Sequence, residues 1–158
     1  MSVDVRAEFQ EGERIVFTAR DRSTVNVRRA AADGPIGFNS IELLLIAFGN
    51  CSLGTLMGQP ALAEASVGRV TAEISGEMEE NPPRLVRVVS NVRIESADPA
   101  ALLSKLSGLE DATGQCPVCN SIRAEKQINI SVIPLAAGDS VDAVAVDGPS
   151  GSCEVATR

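Results

Sequence analysis

The sequence predicts an α+β fold, and three observations predict it. The first 29 residues read as short alternating strands, one long apolar helix follows a capping signal at Asn39, and two long alternating strands precede the remaining helices. The order is strand-rich, helix, strand-rich, helix, helix, strand.

In the first block Val3, Val5, Ala7 and Phe9 alternate with polar residues, as a half-buried strand requires. Glu11-Gly12-Glu13 reads as a turn, Ile15 to Phe17 as a second strand, Asp21-Arg22-Ser23 as another turn, and Thr24 to Val27 as a third strand. A loop with Gly34-Pro35 and Gly37 leads to Asn39, with Glu42 three residues on, the spacing of a capping box. The helix runs to about Met57, which is about 27 Å of helix. Its apolar residues cover nearly every face, so the reading is a central buried helix. Gln59-Pro60 breaks it, and a short turn follows over Ala61 to Ala65.

Val67 to Met78 and Leu85 to Ile94 read as long strands joined by Glu79 to Pro83. Asp98 caps a helix over Pro99 to Leu109, and Cys116 precedes another helix with Pro117 at its first position, where proline is favoured. Ile128 to Ile133 is the last strand. The organisation is one domain over residues 1–135, then a Gly-, Ser-, Asp- and Ala-rich extension over 136–158 that reads as flexible, with Val141 to Val146 as a weak edge strand.

Composition narrows the function. The formal net charge of -7 repels phosphate backbones, so neither nucleic acid nor an anionic membrane is expected as a partner. The absence of histidine excludes Ser-His-Asp and Cys-His catalysis within this chain. Met1 to Phe9 lacks the apolar core of a signal peptide, and the apolar run Leu43 to Phe48 is too short to span a bilayer; a soluble, cytoplasmic protein is expected. Four cysteines then suggest reactive thiols or a metal more than structural disulfides.

Cys51 shares a helix face with Leu44, Ala47, Phe48, Gly54 and Thr55, which suits either a buried structural cysteine or a site that a ligand approaches closely. Cys116, at a helix N-cap, is by physics the more acidic thiol, because a helix N-terminus favours the thiolate. Cys116-Pro117-Val118-Cys119 is a C-x-x-C, open to a dithiol reading, although it lies late in the chain, or to half of a zinc site with Cys51 and Cys153. Glu42 is sufficiently explained as a cap. It lies nine residues before Cys51, on the opposite helix face at about 100° per residue. Only arginines remain as thiolate partners, and Arg6, Arg14, Arg20, Arg22, Arg28 and Arg29 crowd the first block.

Two stretches carry a family resemblance. Gly37-Phe38-Asn39-Ser40-Ile41-Glu42-Leu43-Leu44-Leu45, ending in Phe48-Gly49-Asn50-Cys51, resembles the first-cysteine helix of the OsmC/Ohr family. Cys116-Pro117-Val118-Cys119-Asn120-Ser121 resembles its second-cysteine motif. The resemblance implies an OsmC-like fold, antiparallel sheets around the central helix, in an intertwined homodimer with sites at the subunit interface. It implies a hydroperoxide-reducing, thiol-dependent peroxidase with no cofactor and no metal. Cys51 would attack the peroxide and Cys116 would resolve the sulfenic acid as a disulfide. A lipoyl-type or thioredoxin-type dithiol would then reduce that disulfide. Arg14 would hold the thiolate charged, and Glu42 would assist through an arginine or across the interface. Where the peroxidase branches carry Asn-Pro-Glu this chain has Asn39-Ser40-Ile41, so their glutamate falls on Ile41 and Glu42 matches the OsmC-like branch. A non-catalytic redox-sensing or ligand-binding protein of that branch is the alternative, and a zinc-binding structural domain a further one.

Overall fold

The structure, a computed structural model, describes residues 3–11, 14–27 and 37–135. The turn at Gly12-Glu13, the loop at Gly34-Pro35, Arg28, Arg29 and everything from Ala136 onward, including Cys153 and the weak strand read over Val141 to Val146, lie outside these residues.

Strands β1 (Arg6–Gln10), β2 (Arg14–Ala19) and β3 (Arg22–Val27) form an antiparallel meander. The β2–β3 turn falls at Arg20-Asp21, not over Asp21-Arg22-Ser23, and Arg22 and Ser23 belong to β3. Ala19 pairs with Arg22 and Arg20 takes a positive φ of 57°, as two-residue hairpins demand. This sheet keeps Val3, Val5, Phe9 and Val25 exposed around it. Asn26, which sequence reasoning passed over, anchors it to the helix region. Its Nδ2 donates to the Phe38 carbonyl at 2.9 Å and its Oδ1 accepts from the Phe38 amide at 2.8 Å.

Helix α1 (Ser40–Met57) starts where the capping signal put it. The Asn39 side chain accepts from the Ile41 and Glu42 amides, and Glu42 Oε2 accepts from the Asn39 amide at 2.6 Å. The short helix α2 (Pro60–Glu64) follows, then β4 (Val67–Glu80), β5 (Pro83–Ser96), helices α3 (Pro99–Leu103), α4 (Leu106–Gly114) and α5 (Pro117–Ser121), and β6 (Glu125–Pro134). The stretch read as one helix over Pro99 to Leu109 is two, because the chain turns at Ser104-Lys105, where Ser104 Oγ donates to the Ala101 carbonyl.

The second sheet has the order β4-β5-β6 and corrects the expectation of antiparallel sheets throughout. β4 and β5 form an antiparallel hairpin, but β6 runs parallel to β5. The three helices between β5 and β6 supply the crossover that parallel pairing needs. Alternation places Val88, Ser90, Val92 and Ile94 of β5 on one buried face, beside Val70, Ala72 and Ile74 of β4 and Ile128, Ile130 and Val132 of β6. The opposite face is polar, with Thr71, Glu73, Asn91, Arg93, Asn129 and Ser131.

Helix α1 lies against β4, α4 and α5. Gly49 permits the approach, since a Cβ there would stand 2.5 Å from Ile74 Cδ1. The apolar interior has two parts. Leu56, Leu62, Val92, Ile94, Leu102, Leu109 and Ile130 form one, and Phe48, Val88, Cys116, Cys119, Ile122 and Ala124 form the other, with Cys51 at its margin. The sequence expectation of a helix buried all round is not what one chain supplies. Phe48, Gly49, Ser52 and Leu56 are buried, while Ile46 and Met57 are nearly half exposed. By length and apolarity alone α1 would pass for a membrane span, yet one of its faces packs into the protein core as a core helix does.

Candidate active site

Three thiols converge in the second part of the interior. Cys51 comes from the middle of α1 and is part-exposed. Cys116 is the N-cap of α5 and 1% exposed, and Cys119, three residues later, is fully buried. Pro117 makes this local geometry: its fixed φ suits the first helical position and it has no N–H to leave unpaired. The next free amides of the turn then point at sulfur. Cys119 N–H donates to Cys116 Sγ at 3.1 Å. The Val118 amide serves both Cys51 and Cys116.

Cys51 packs against the cluster that holds Cys116 and Cys119, and the three thiols act on one another's ionisation. The Cys119 thiol donates to the Thr113 carbonyl oxygen at 3.7 Å. Cys116 is therefore the hub, and the pKa shifts follow from that. Burial pushes Cys116 up but is outweighed by the Cys119 thiol, the Cys119 amide, the Cys51 thiol and the Val118 amide, so its pKa lies below the ordinary thiol value. For Cys51 the Val118 amide pulls down, and burial, donation to Cys116 and repulsion from Cys116 together overcome it, so its pKa is raised. Burial first, then donation to Cys116 and repulsion from Cys116 and Cys51, pushes Cys119 up to about 12.

Of the residues singled out in the sequence, the structure brings Cys51 and Cys116 together and leaves Arg14 and Glu42 elsewhere. Arg14 is exposed at the start of β2, in the first sheet. Glu42 is engaged in its cap and lines a groove of about 290 Å³ with Phe38, Leu45, Ile46, Ala72 and Ile74. Among the described residues, the groups that shift Cys51 and Cys116 are the neighbouring thiols and the Val118 and Cys119 amides, with no arginine among them. The acidity ranking from helix-end physics holds within one chain: Cys116 down, Cys51 up. Sequence reasoning missed Cys119 as a donor to Cys116. The signal was present, since an N-cap side chain accepts from the amide of the third helical residue. Among the described residues no group of three or more ligands is placed to hold a metal ion, and Cys153, the fourth cysteine of the zinc reading, lies outside them.

The chain is thus a two-sheet α+β domain whose long helix carries one cysteine to a second at a short helix start. A family model described as OsmC-like protein matches residues 32–131, and the chain belongs to that family. Among solved structures, the OsmC-like protein from Mycoplasma pneumoniae aligns with a TM-score of 0.65 at 17% identity, covering 85% of this chain and 98% of that one. An OsmC-like protein of unknown function from Vibrio cholerae aligns at 0.66 and 13% identity, covering 83% and 99%. The organic hydroperoxide resistance protein OhrB of Bacillus subtilis aligns at 0.55 and 18% identity, covering 84% and 98%. At these identities the structural likeness is one of fold. No curated protein matches the sequence.

Proposed function

We propose that the chain is a cysteine-based hydroperoxide reductase working through Cys51 and Cys116. The observation that carries the reading is the packing of the part-exposed Cys51 against the cluster that holds Cys116, the more acidic thiol, each acting on the other's ionisation. Cys116 accepts the Cys51 proton. The Cys51 thiolate attacks the peroxide O–O bond, an alcohol or water leaves carrying that proton, and Cys51 becomes a sulfenic acid. Cys116 then attacks the Cys51 sulfur, hydroxide leaves as water with one proton taken up, and a disulfide closes. A lipoyl-type or thioredoxin-type dithiol reduces it.

The working form is a homodimer. Phe38, Ile46 and Met57 around α1, and Phe9 and Val25 of the first sheet, are exposed apolar residues that a second copy would cover. Arg14 of that second copy, with Glu42 beside it, is the cation that draws Cys51 down from its raised pKa. The structural likeness to the organic hydroperoxide resistance protein OhrB of Bacillus subtilis is in keeping with the proposal.

The test is peroxide consumption with organic hydroperoxides and hydrogen peroxide, using lipoyl and thioredoxin donors. Cys51→Ser abolishes consumption and Cys116→Ser leaves a single turnover. Wild-type protein inert toward every combination overturns the proposal. The raised Cys51 pKa supports a second reading, a redox sensor, and a slow Cys51–Cys116 disulfide without turnover selects it.

A further inference from the structure

The proposed cycle leaves Cys119 without a part. A cysteine serving only as core filling needs no second sulfur, yet this one is held to Cys116 by a hydrogen bond. Its amide donates to Cys116 Sγ at 3.1 Å, and its thiol donates to the Thr113 carbonyl at 3.7 Å. Both residues are enclosed by Phe48, Val88, Ile122 and Ala124, at 1% and 0% exposure. Two residues separate them in the chain, a spacing at which two sulfurs at a helix start are able to close a disulfide with little backbone movement.

We propose that Cys116 and Cys119 form a second thiol–disulfide couple, into which the Cys51–Cys116 disulfide rearranges. The inference rests on the Cys51–Cys116 chemistry for its starting disulfide and adds where the oxidation comes to rest. Cys119, as thiolate, attacks the Cys116 sulfur. The Cys51–Cys116 bond breaks and its electron pair leaves on the Cys51 sulfur, which takes up the proton Cys119 released. One disulfide is lost and one forms, so no outside oxidant or reductant enters the step.

In the reduced protein Cys119 stays a thiol, because burial and the anionic Cys116 beside it both oppose its ionisation. In the Cys51–Cys116 disulfide neither sulfur carries charge. The effects of Cys116 and of Cys51 that raise the Cys119 pKa then vanish, and burial alone opposes ionisation. Cys119 is thus inert until Cys116 is oxidised and is released by that oxidation. The rearrangement returns Cys51, the accessible thiol, to its reduced form while the oxidising equivalent sits in the buried pair.

Tryptic peptides separate the possibilities. Residues 106–123 hold Cys116 and Cys119, residues 30–69 hold Cys51, and residues 127–158 hold Cys153. Wild-type protein is oxidised with stoichiometric diamide or with tert-butyl hydroperoxide, quenched in acid over a time course, alkylated and mapped by mass. The expected course is early cross-linked 30–69/106–123 that gives way to 106–123 with an internal disulfide, while Cys51 becomes alkylatable. Cys51→Ser protein, equilibrated in mixtures of oxidised and reduced dithiothreitol, is expected to form the same internal disulfide. A persistent cross-link in the wild type, or a 106–123 peptide that stays doubly alkylated in Cys51→Ser across the series, overturns the proposal. Diamide keeps the two readings apart. Internal disulfide with diamide but no reaction with hydroperoxide sinks the reductase reading and leaves the couple standing.

Discussion

Folding of this protein is predicted to lose stability at alkaline pH through Cys119, and the loss is readable because little else titrates there. The chain has no Tyr and no His, and its lysines are Lys105 and Lys126 alone. Cys119 is fully buried and its pKa rises from the ordinary thiol value of 9.0 to about 12, with burial the first cause. A raised folded pKa contributes stability that is whole below the unfolded value and is lost as pH rises through the folded one. Above pH 9.0 the unfolded chain ionises Cys119 while the folded chain does not, so stability falls on the order of 1 kcal/mol per pH unit until about pH 12. Between pH 9.0 and roughly 10.5 the loss is about 2 kcal/mol. Cys116, being lowered, adds a slope of opposite sign that fades as pH passes the ordinary thiol value, and Cys51, being raised, adds a smaller slope of the same sign as Cys119. Urea unfolding followed by circular dichroism, under reductant and over this pH range, measures the slope. Cys119→Ser is expected to flatten it to the Cys51 remainder, whatever it does to stability at neutral pH. Equal slopes in the wild type and Cys119→Ser would refute the reasoning.

Two further predictions concern how α1 is held. Asn39→Ala removes the acceptor for the Ile41 and Glu42 amides and is expected to cost about 1 kcal/mol in urea unfolding, in the usual range for a lost N-cap. No loss at all would mean that Glu42 and solvent satisfy the helix start unaided. Gly49→Ala sets helix propensity, worth about 1 kcal/mol in its favour, against a Cβ that would stand 2.5 Å from Ile74 Cδ1. Alone it is expected to be destabilising, and in an Ile74→Val background, which removes that methyl, it is expected to turn neutral or stabilising. Additive effects in the double-mutant cycle would show that the two residues do not meet.

What the sequence made legible was whatever depends on near neighbours. Asn39 with Glu42 marked the start of α1, Gln59-Pro60 its end, and Cys116-Pro117 the start of α5, since each is a local hydrogen-bonding or steric fact. Alternation marked β4, β5 and β6 and the face each buries, but alternation is the same in either pairing direction, so the parallel β5–β6 ladder was not legible. The break at Ser104-Lys105 was hidden because apolar residues continue across it at Leu102, Leu103, Leu106 and Leu109. The meeting of Cys51 with Cys116 is tertiary: 65 residues separate them, and only the family resemblance anticipated it. The C-x-x-C lies late in the chain, and what its position there does not show is the helix start beneath it, on which the acidity of Cys116 depends.

The division of acidity and exposure between the two main thiols gives the proposed cycle a direction. Were Cys51 the more acidic as well as the more exposed, a reductant attacking the disulfide would meet the better leaving group at the accessible sulfur and would have to expel the poorer one. The order is the reverse. Cys51 is the sulfur solvent reaches, and Cys116 is buried with amides of Val118 and Cys119 aimed at it. A donor thiolate is steered to Cys51 by access, and the departing Cys116 thiolate is received by amides already in place. The same donors that lower the Cys116 pKa in the reduced protein therefore favour reduction of the disulfide. A second-subunit cation that acidifies Cys51 for attack would have to act without lowering it below Cys116, or the direction is lost. On the proposed cycle such an arginine contribution would be bounded from both sides, enough to ionise Cys51 and too little to make it the better leaving group.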